Sequence, residues 1–382
     1  MLRVLAGRLK ICSGKKLPDL AQSEVLCLTT WTSVGNAREL PCRNYQMPAS
    51  SSVLLDSQHS TLLPGMAPKG SFMNKPYVAV IGSLNMDLKI KVDHFPQPGE
   101  TMLCSSIVYQ EGGKGANQAC ACGLMGVDTY IAGCVGQDET GTKLIRSLQR
   151  SGVNTDSICR LRRTDSGMAI IYVNNAGENA IAVISGANSQ FDQSYFDSVS
   201  KLIAGSAYVL IQMEIPSKMV FEAVRLAHSS GSMVILNPAP APDKIPSEIW
   251  KQIDIITPNE HEASHLCGIS EDEPDFPEKC AGQMIRSGVK RVIITLGANG
   301  CYYADADKRK YYPACKTEAV DTTGAGDCFN GVLAAELCKG RDIDDAIMSA
   351  SMASSIAVSR PGAQASYPNL REVEEAVRKF QS

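Results

Sequence analysis

A run of small residues between two aspartates, Asp321–Asp327, has the residue types that phosphate chemistry requires. The apolar segment after it predicts a helix that begins here. The amides of Gly324, Ala325 and Gly326 would then point out of a helix N-terminus, where negative charge binds. The Asp327 carboxylate, at the edge of that site, could accept the proton of an attacking hydroxyl. An anion-binding site beside a base is suited to the transfer of a phosphoryl group to an alcohol. The alternative is that the segment is a helix N-cap with a purely structural role.

Two further polar strings could bind the alcohol. Asn85 and Asp87 follow an apolar run at 77–82, and an amide and a carboxylate so placed can bind vicinal hydroxyls. Taken alone, these two residues fit an Asx turn better. The loop Gly112–Asn117 leaves the backbone open to a ligand and offers Lys114 and Asn117 as donors. It is not a full dinucleotide-binding fingerprint, because position 118 is glutamine.

The segment 257–265 contains a His-Glu-x-x-His spacing at His261 and His265, but the five histidines of the chain supply no obvious third zinc ligand. Thr257 and Glu260 predict a capping box with Pro258 at the first helical position. Asn259 and Glu262 would then lie one turn apart, where their oxygens suit hydrated Mg²⁺ and a nucleotide phosphate.

Two glycine-containing turns are less specific. The turn at 295–300 ends an apolar run and could bind a nucleotide, and a strand-to-hairpin turn is an equal alternative. The segment 136–143 approaches a P-loop, but the order Thr142–Lys143 is reversed, so it predicts a capped turn that enters a helix.

These motifs must be positioned by an α/β scaffold. Apolar runs at 77–82, 207–211, 233–236, 253–256 and 291–295 alternate with helical patterns at 217–229 and 275–287. Such alternation predicts a mainly parallel sheet covered on both faces. Alternating segments at 88–92 with 102–109, and at 169–173 with 180–185, predict two hairpins of a small separate sheet. That sheet would be a lid, a subunit interface or a peripheral element.

Composition narrows the function further. The net charge of −3 in 382 residues offers no basic field for nucleic acid, and no apolar run approaches the roughly 18 residues that span a bilayer. The 14 cysteines lack framework spacing and predict reduced intracellular thiols, with Cys120 and Cys122 as packing residues. We therefore expect an intracellular protein, in the cytoplasm or nucleus, with small-molecule ligands.

Residues 1–74 differ from the rest of the chain. The first 18 contain five basic residues and no acidic one, and serines cluster at 50–52. An organelle-import segment and an extension without function both fit this composition. We exclude the segment from predictions of the fold, which begin at residue 75.

Taken in order and spacing, the motifs from 75 to 382 resemble the ribokinase/PfkB family of carbohydrate kinases. The most specific strings are Gly112–Asn117 and Asp321–Asp327, and the strings at 212–214, 237–240 and 362–364 resemble the members that phosphorylate D-ribose. The resemblance implies a Rossmann-like, mainly parallel sheet flanked by helices, with a β-sheet lid at about 88–110 and 168–186. It implies a homodimer that forms through this lid.

The resemblance also implies residue roles in the transfer of the ATP γ-phosphate to the 5-hydroxyl of D-ribose. Asp327 would be the base, with Gly324, Ala325 and Gly326 stabilising the transferred group. The sugar site would comprise Asn85, Met86, Asp87, Gly113, Lys114, Gly115, Ala116, Asn117, Glu214 and Asp327. The ATP site would comprise Asn259, Thr295, Leu296, Gly297, Ala298, Asn299, Gly300, Gly326, Asp327 and Ser351.

Two cations complete the implied site. Glu262 would organise Mg²⁺ through water. A monovalent cation, K⁺, would be surrounded, through several backbone carbonyls, by Asp321, Thr323, Ala357, Arg360, Gly362 and Ser366. Glu111 stands where the family pattern favours an apolar residue, and Ser351 replaces a larger polar residue. A different sugar or nucleoside kinase of the family and a non-catalytic sugar-binding regulator are the alternatives.

Overall fold

The computed structural model of the protein describes residues 75–176 and 178–381. The described strands are β1 (Val78–Ile81), β2 (Asn85–Lys91), β3 (Ser106–Gly112), β4 (Thr129–Ala132), β5 (Cys134–Gly136), β6 (Val153–Asn154), β7 (Cys159–Leu161), β8 (Gly167–Val173), β9 (Asn179–Ile184), β10 (Tyr208–Ile211), β11 (Met233–Leu236), β12 (Ile255–Ile256), β13 (Arg291–Thr295), β14 (Cys301–Ala304) and β15 (Arg309–Tyr312). The predicted extension at residues 1–74, with its import hypothesis, lies outside the described residues.

The described helices alternate with these strands. They are α1 (Lys114–Leu124), α2 (Glu139–Arg150), α3 (Gln193–Ala204), α4 (Ser217–Ser230), α5 (Ser247–Trp250), α6 (Glu260–Cys267), α7 (Phe276–Ser287), α8 (Ala325–Cys338), α9 (Ile343–Val358) and α10 (Leu370–Gln381). None of these helices is both long and apolar enough to cross a membrane.

The main sheet has nine strands in the order β15-β14-β13-β12-β11-β10-β1-β4-β6. Its strands are parallel from β13 to β6, and β14 pairs antiparallel with both β13 and β15. Side chains alternate between the faces, so Val78 and Val80 join one core while Ala79 and Ile81 join the other. Helices α1, α2 and α8–α10 cover the first face and α3–α7 the second. The predicted α/β class is confirmed.

A separate sheet of four strands has the order β3-β2-β8-β9. We call it the lid sheet after its predicted role. Its two antiparallel hairpins join through parallel pairing of β2 with β8, as the two alternating regions predict. Strand β2 begins at Asn85, three residues before the predicted start, because Asn85 pairs with Gly112 on one side and Gly167 on the other. Asn85 and Asp87 are therefore strand residues that share one face of the lid sheet.

Two predicted helix starts had different outcomes. Asp138 caps α2 and accepts from the Gly141 backbone N–H at 2.6 Å, which confirms a capped turn. The predicted capping box at Thr257 and Glu260 is wrong by two residues. The chain at Thr257 still follows the sheet, since its N–H donates to the Leu236 carbonyl at 3.0 Å. Helix α6 therefore starts at Glu260, after Pro258 and Asn259.

Helices α1 and α8 pack side by side along the first face. Gly331 lies at their contact, where a Cβ would stand 2.4 Å from the Gln118 carbonyl oxygen and 2.7 Å from the Ala121 Cβ. Small residues on both helices permit this approach. The N-termini of the two helices, which carry the glycine loop and the Asp321–Asp327 turn, are thereby brought together.

We expect Gly331→Ala to lower the free energy of unfolding by about 1–3 kcal/mol, because the added methyl group overpacks the contact. Gly282→Ala, within α7, is the matched control. Its nearest atom beyond the local backbone is the Arg286 Nη1 at 3.4 Å, so it should be neutral or gain up to about 1 kcal/mol from helix propensity. Urea denaturation measures both variants, and an equal effect at the two positions would contradict this account.

Candidate active site

The carboxylate of Asp327 is buried in the first turn of α8 and held by two amides from α1. Its Oδ2 accepts from Asn117 Nδ2 at 3.0 Å, and its Oδ1 accepts from Gln118 Nε2 at 2.9 Å. Both oxygens keep further lone pairs for another proton donor. The arrangement fixes the direction of the carboxylate without neutralising it.

Further side-chain amides hydrogen-bond to those of Asn117 and Gln118 and fix their orientation. Gln118 Oε1 accepts from Gln212 Nε2 at 2.6 Å, and Gln118 Nε2 also donates to Asn237 Oδ1 at 3.0 Å. Gln364 Nε2 donates to Asn117 Oδ1 at 3.1 Å. Because Asp327 can only accept, these bonds determine which way each amide points. The sequence places Gln118 next to a glycine loop and the other three residues in short motif strings, but it contains no signal for their long-range pairing.

The turn before Asp327 presents free backbone donors. Gly324 caps α8 with φ 76°, and its carbonyl accepts from the Tyr367 hydroxyl at 2.9 Å. The first helical bond runs from Cys328 N–H to the Gly324 carbonyl, so the N–H groups of Gly326 and Asp327 have no intrahelical partner. A Cβ at Gly326 would meet no protein atom within 4 Å. Space and donors therefore coincide at an anion site.

A cluster of charged side chains lies on the lid side of Asp327. Glu214 Oε2 accepts from Ser83 Oγ at 2.5 Å and from the Lys114 backbone N–H at 3.1 Å. Asn85 Oδ1 accepts from Asn188 Nδ2 at 2.7 Å. Asn188, which is not among the predicted site residues, is buried and also bonds the backbone of Leu84. No sequence pattern marks it, since it acts across about a hundred residues.

The charges of this cluster perturb one another. Burial, together with Glu214 and Asp327, raises the pKa of Asp87 to about 7, and Lys114 partly offsets this rise. Burial alone would lower the pKa of Lys114, but the carboxylates of Asp327, Glu214, Glu262 and Asp87 outweigh burial and raise it. The Lys114 ammonium therefore stays charged among carboxylates that compete for it.

Two connected cavities meet at the N-terminus of α8. The larger, of about 740 Å³, is lined by the predicted nucleotide residues Asn259, Thr295, Gly297, Ala298, Gly300, Gly326 and Ser351. The smaller, of about 170 Å³, is lined by Lys114, Glu262, Gly324, Ala325, Gly326 and Asp327. Asn259, Thr295 and Gly326 line both. The geometry thus joins a nucleotide-sized cavity to the base and the anion site.

Some predicted residues do not face these cavities with their side chains. Leu296 is buried in the core and Asn299 lies outside the lining of both cavities. Met86 packs in the core that α1 and α8 share, on the opposite face of β2 from Asn85 and Asp87. Gly115 and Ala116 are buried within α1. Leu296, Met86, Gly115 and Ala116 can therefore contribute backbone groups only, whereas the exposed Asn299 could contribute at the periphery.

A family model described as pfkB family carbohydrate kinase matches residues 75–370. The chain belongs to this family. Bacillus subtilis ribokinase is 39% identical to the kinase over 298 residues, which are 78% of this chain and 98% of that protein. Salmonella typhi deoxyribokinase is 32% identical over 298 residues, 78% of this chain and 97% of that protein. The structure of Arabidopsis thaliana ribokinase with ribose and ATP matches with TM-score 0.74 and 28% identity, covering 80% of this chain and 99% of that protein.

Glu262 of the kinase fits a hydrated Mg²⁺. Its Oε2 accepts from the Asn259 N–H at 2.9 Å, while Asn259 Oδ1 accepts from the Glu262 N–H at 2.7 Å. This is the capping box of α6, and it fixes the carboxylate on the smaller cavity. Burial raises the pKa of Glu262, partly offset by the Asn259 hydrogen bond. A nearby cation would stabilise its charged form.

The contacts of Asp321 do not fit a free potassium ion. Asp321 Oδ1 accepts from the backbone N–H of Thr323 at 3.1 Å and its hydroxyl at 2.6 Å. Oδ2 accepts from Lys89 Nζ at 2.8 Å and from the Gly362 N–H at 3.1 Å. Four donors use the four lone-pair positions of the carboxylate. One of the donors is itself a cation.

The other residues predicted around K⁺ also have protein partners. The Ala357 carbonyl accepts from the Arg360 N–H at 3.1 Å, and the Ser366 hydroxyl donates to the Ala363 carbonyl at 2.8 Å. The Arg360 guanidinium pairs with Glu372 at 2.6 Å. Asp321 has the only carboxylate among these six residues, and its lone pairs are all used by protein donors. Only neutral oxygens are therefore left for an ion from solution.

We expect Asp87→Asn to stabilise the kinase at pH 8 and to have less effect near pH 4. The native carboxyl keeps its proton up to about pH 7 against an ordinary value of 3.8, so the stability of the wild type falls as the pH rises through that window. The asparagine variant escapes this loss, which should exceed about 1 kcal/mol at pH 8.

Urea denaturation at several pH values measures the difference between Asp87→Asn and the wild type. Asp128→Asn, at an exposed aspartate, is the control and should follow the wild type throughout. A stability difference that does not change with pH would show that Asp87 is not strained by its neighbours.

Proposed function

We propose that the chain is a ribokinase, which transfers the γ-phosphate of ATP to the 5-hydroxyl of D-ribose. The observation that carries the proposal is the position of Asp327. Its oriented carboxylate stands beside free amides and a polar cluster, and it lines the smaller cavity. That cavity shares Asn259, Thr295 and Gly326 with the cavity of about 740 Å³. The ribokinases among its relatives support ribose as the acceptor.

The lid-side cluster is proposed to bind the sugar. Asn85, Asp87 and Glu214 supply acceptors for hydroxyl groups, and Lys114 and Asn117 supply donors. Each sugar hydroxyl can donate to a carboxylate and so relieve the crowding that raises the pKa of Asp87. Gly113, with φ 87°, brings the backbone of the loop close to the ligand. Met86, Gly115 and Ala116 would contribute through their backbone.

Asp327 is proposed to act as general base for the 5-hydroxyl. Asn117 and Gln118 hold its oxygens towards the acceptor. The N–H groups of Gly326 and Asp327, with Gly324 and Ala325 shaping the turn, stabilise the charge of the transferred phosphoryl group. Mg²⁺ held near Glu262 through water would neutralise charge on the phosphates. Closure of the lid sheet over the sugar would exclude water.

The larger cavity is proposed to bind ATP. Its lining mixes backbone groups of the turn at Gly297–Gly300 with the side chains of Asn259, Thr295 and Ser351. Ser351 lies on α9, where the Ser355 hydroxyl donates to its carbonyl at 3.0 Å. The predicted contacts of Leu296 and Asn299 would be backbone or peripheral contacts.

A second substrate of the same class is 2-deoxyribose, since a deoxyribokinase is among the relatives. Other sugars or nucleosides would use the same base and anion site. A non-catalytic sugar-binding regulator would not need Asp327 and free amides of α8 in this arrangement. The retained base therefore favours an enzyme over a regulator.

We expect Asp327→Asn to lower kcat by about 10²–10⁴-fold, because the base is lost. The ribose dissociation constant should change only a few-fold, since the other sugar residues are intact. A coupled assay and isothermal titration calorimetry measure the two quantities. Circular dichroism must accompany them, because the new amide N–H₂ faces donors of Asn117 and Gln118 and costs stability.

The wild type, assayed with ATP and ribose, 2-deoxyribose, fructose or adenosine, is the control. The highest kcat/KM is expected for ribose. A higher kcat/KM for another sugar would contradict ribose as the acceptor but would leave the proposed kinase activity intact. Sugar binding without ADP formation would contradict the proposed enzymatic activity. Full activity of Asp327→Asn would contradict the assignment of Asp327 as the general base.

The lid sheet is proposed to be the interface of a homodimer. Its strands expose large apolar side chains: Ile107, Val108, Tyr109, Ile181, Val183 and Ile184. Exposed apolar patches of this kind favour association. A second copy of the same sheet could cover them.

We expect Ile181→Asp to convert the dimer to a monomer, because a charge would be buried in an apolar interface. Sedimentation equilibrium gives the mass of each variant. Phe380→Asp, at a residue of α10 that is 53% exposed, should leave the mass unchanged. A wild type that sediments as a monomer at all concentrations would contradict the interface.

The proposed setting is an intracellular one, in the cytoplasm, with small-molecule ligands. All cysteines that the structure describes are free thiols. Reduced cysteines are typical of such compartments.

A further inference from the structure

Lys89 joins the sugar-binding strand to the catalytic turn. It follows Asn85 and Asp87 at alternate positions of β2 and therefore shares their face of the lid sheet. Its Nζ lies 2.8 Å from Asp321 Oδ2, and the two side chains are only 29% and 12% exposed. A partly buried pair of this kind is screened less by salt than a surface pair.

The charge of Lys89 balances the charge of Asp321. Lys89 Nζ, the Thr323 N–H and hydroxyl, and the Gly362 N–H all donate to this carboxylate. The carboxylate already has one positive partner within hydrogen-bond distance. A second cation at the same oxygens would be repelled by the ammonium.

Asp321 is also a structural anchor of the turn that carries the anion site. Its N–H donates to the Val358 carbonyl at the end of α9 at 3.1 Å, and its Oδ1 orders Thr323. The turn continues through Gly324 to Asp327. A positive charge at Asp321 therefore supports the conformation and the electrostatic potential of the site where phosphate binds.

We propose that the Lys89 ammonium is a tethered counterion that takes the place of the free monovalent cation at Asp321. The inference rests on the proposed kinase activity and assigns Lys89 as a positioning residue. Phosphoryl transfer then needs no potassium from solution, since the chain supplies the cation itself. The family pattern implies K⁺ at this place, whereas the contacts of this chain imply that it is dispensable.

Activity at constant ionic strength in KCl and in choline chloride tests the proposal. The wild type should differ less than about twofold between the salts. Lys89→Met should lose about tenfold or more in kcat in choline chloride, and K⁺ should restore much of that loss. Lys91→Met, on the same strand at an exposed position, is the matched control and should behave as the wild type.

Thermal unfolding in the same two salts gives a readout independent of turnover. The wild type should have the same Tm in both, and Lys89→Met should gain a K⁺-specific increase. Potassium activation of the wild type by fivefold or more would overturn the tethered counterion and leave the kinase intact. If the protein phosphorylated no sugar in KCl and none in choline chloride, the proposed kinase activity would be wrong. The Tm comparison would still show whether Lys89 replaces K⁺ at Asp321. If Lys89→Met does not fold, the wild-type measurements alone decide.

Discussion

The two hydrogen bonds between the amides of α1 and the carboxylate of α8 are the constraint on which the site depends. They require Asn117, Gln118 and Asp327 to meet at the same end of two helices. The helices can approach so closely because Gly331 faces the backbone of α1 without a side chain. The position of the base is thus set by helix packing, and the order of the main sheet in turn places both helices on one face.

The cost of this arrangement is charge crowding. The carboxylates of Asp87, Glu214 and Asp327 all interact with the single ammonium of Lys114, and a protein selected for stability alone would not gather them. The apolar burial in the main sheet and in the two cores beside it offsets the destabilisation from this cluster of charged side chains. Proposed ligand hydroxyl groups would satisfy acceptors that are otherwise in competition.

Local patterns predict the elements well, because apolar runs, glycines and helix starts depend on neighbouring residues. The five predicted strands, the two hairpins and the turn before α8 all occur in the structure. The capping box was misplaced because Thr257 and Pro258 continue along the sheet. The amide network of Gln118, Gln212, Asn237 and Gln364 could not be predicted, since each bond spans 94 to 247 residues. Lys89 and Asp321, likewise, meet only through the fold.

The pairing of Asn85 with a glycine on both neighbouring strands has a consequence for the register of the lid sheet. A Cβ at Gly167 would stand 2.2 Å from Asn85 Oδ1, and one at Gly112 would stand 2.2 Å from Asp87 Oδ2. If β2 slipped by one residue, Asn85, Asp87 and Lys89 would all turn to the opposite face together. A slip would also bring Glu111 or Met168 beside Asn85. The two glycines therefore fix the register of β2 in the lid sheet. Only this register places Asn85 and Asp87 beside residues without a Cβ, and a side chain at either position would collide with them.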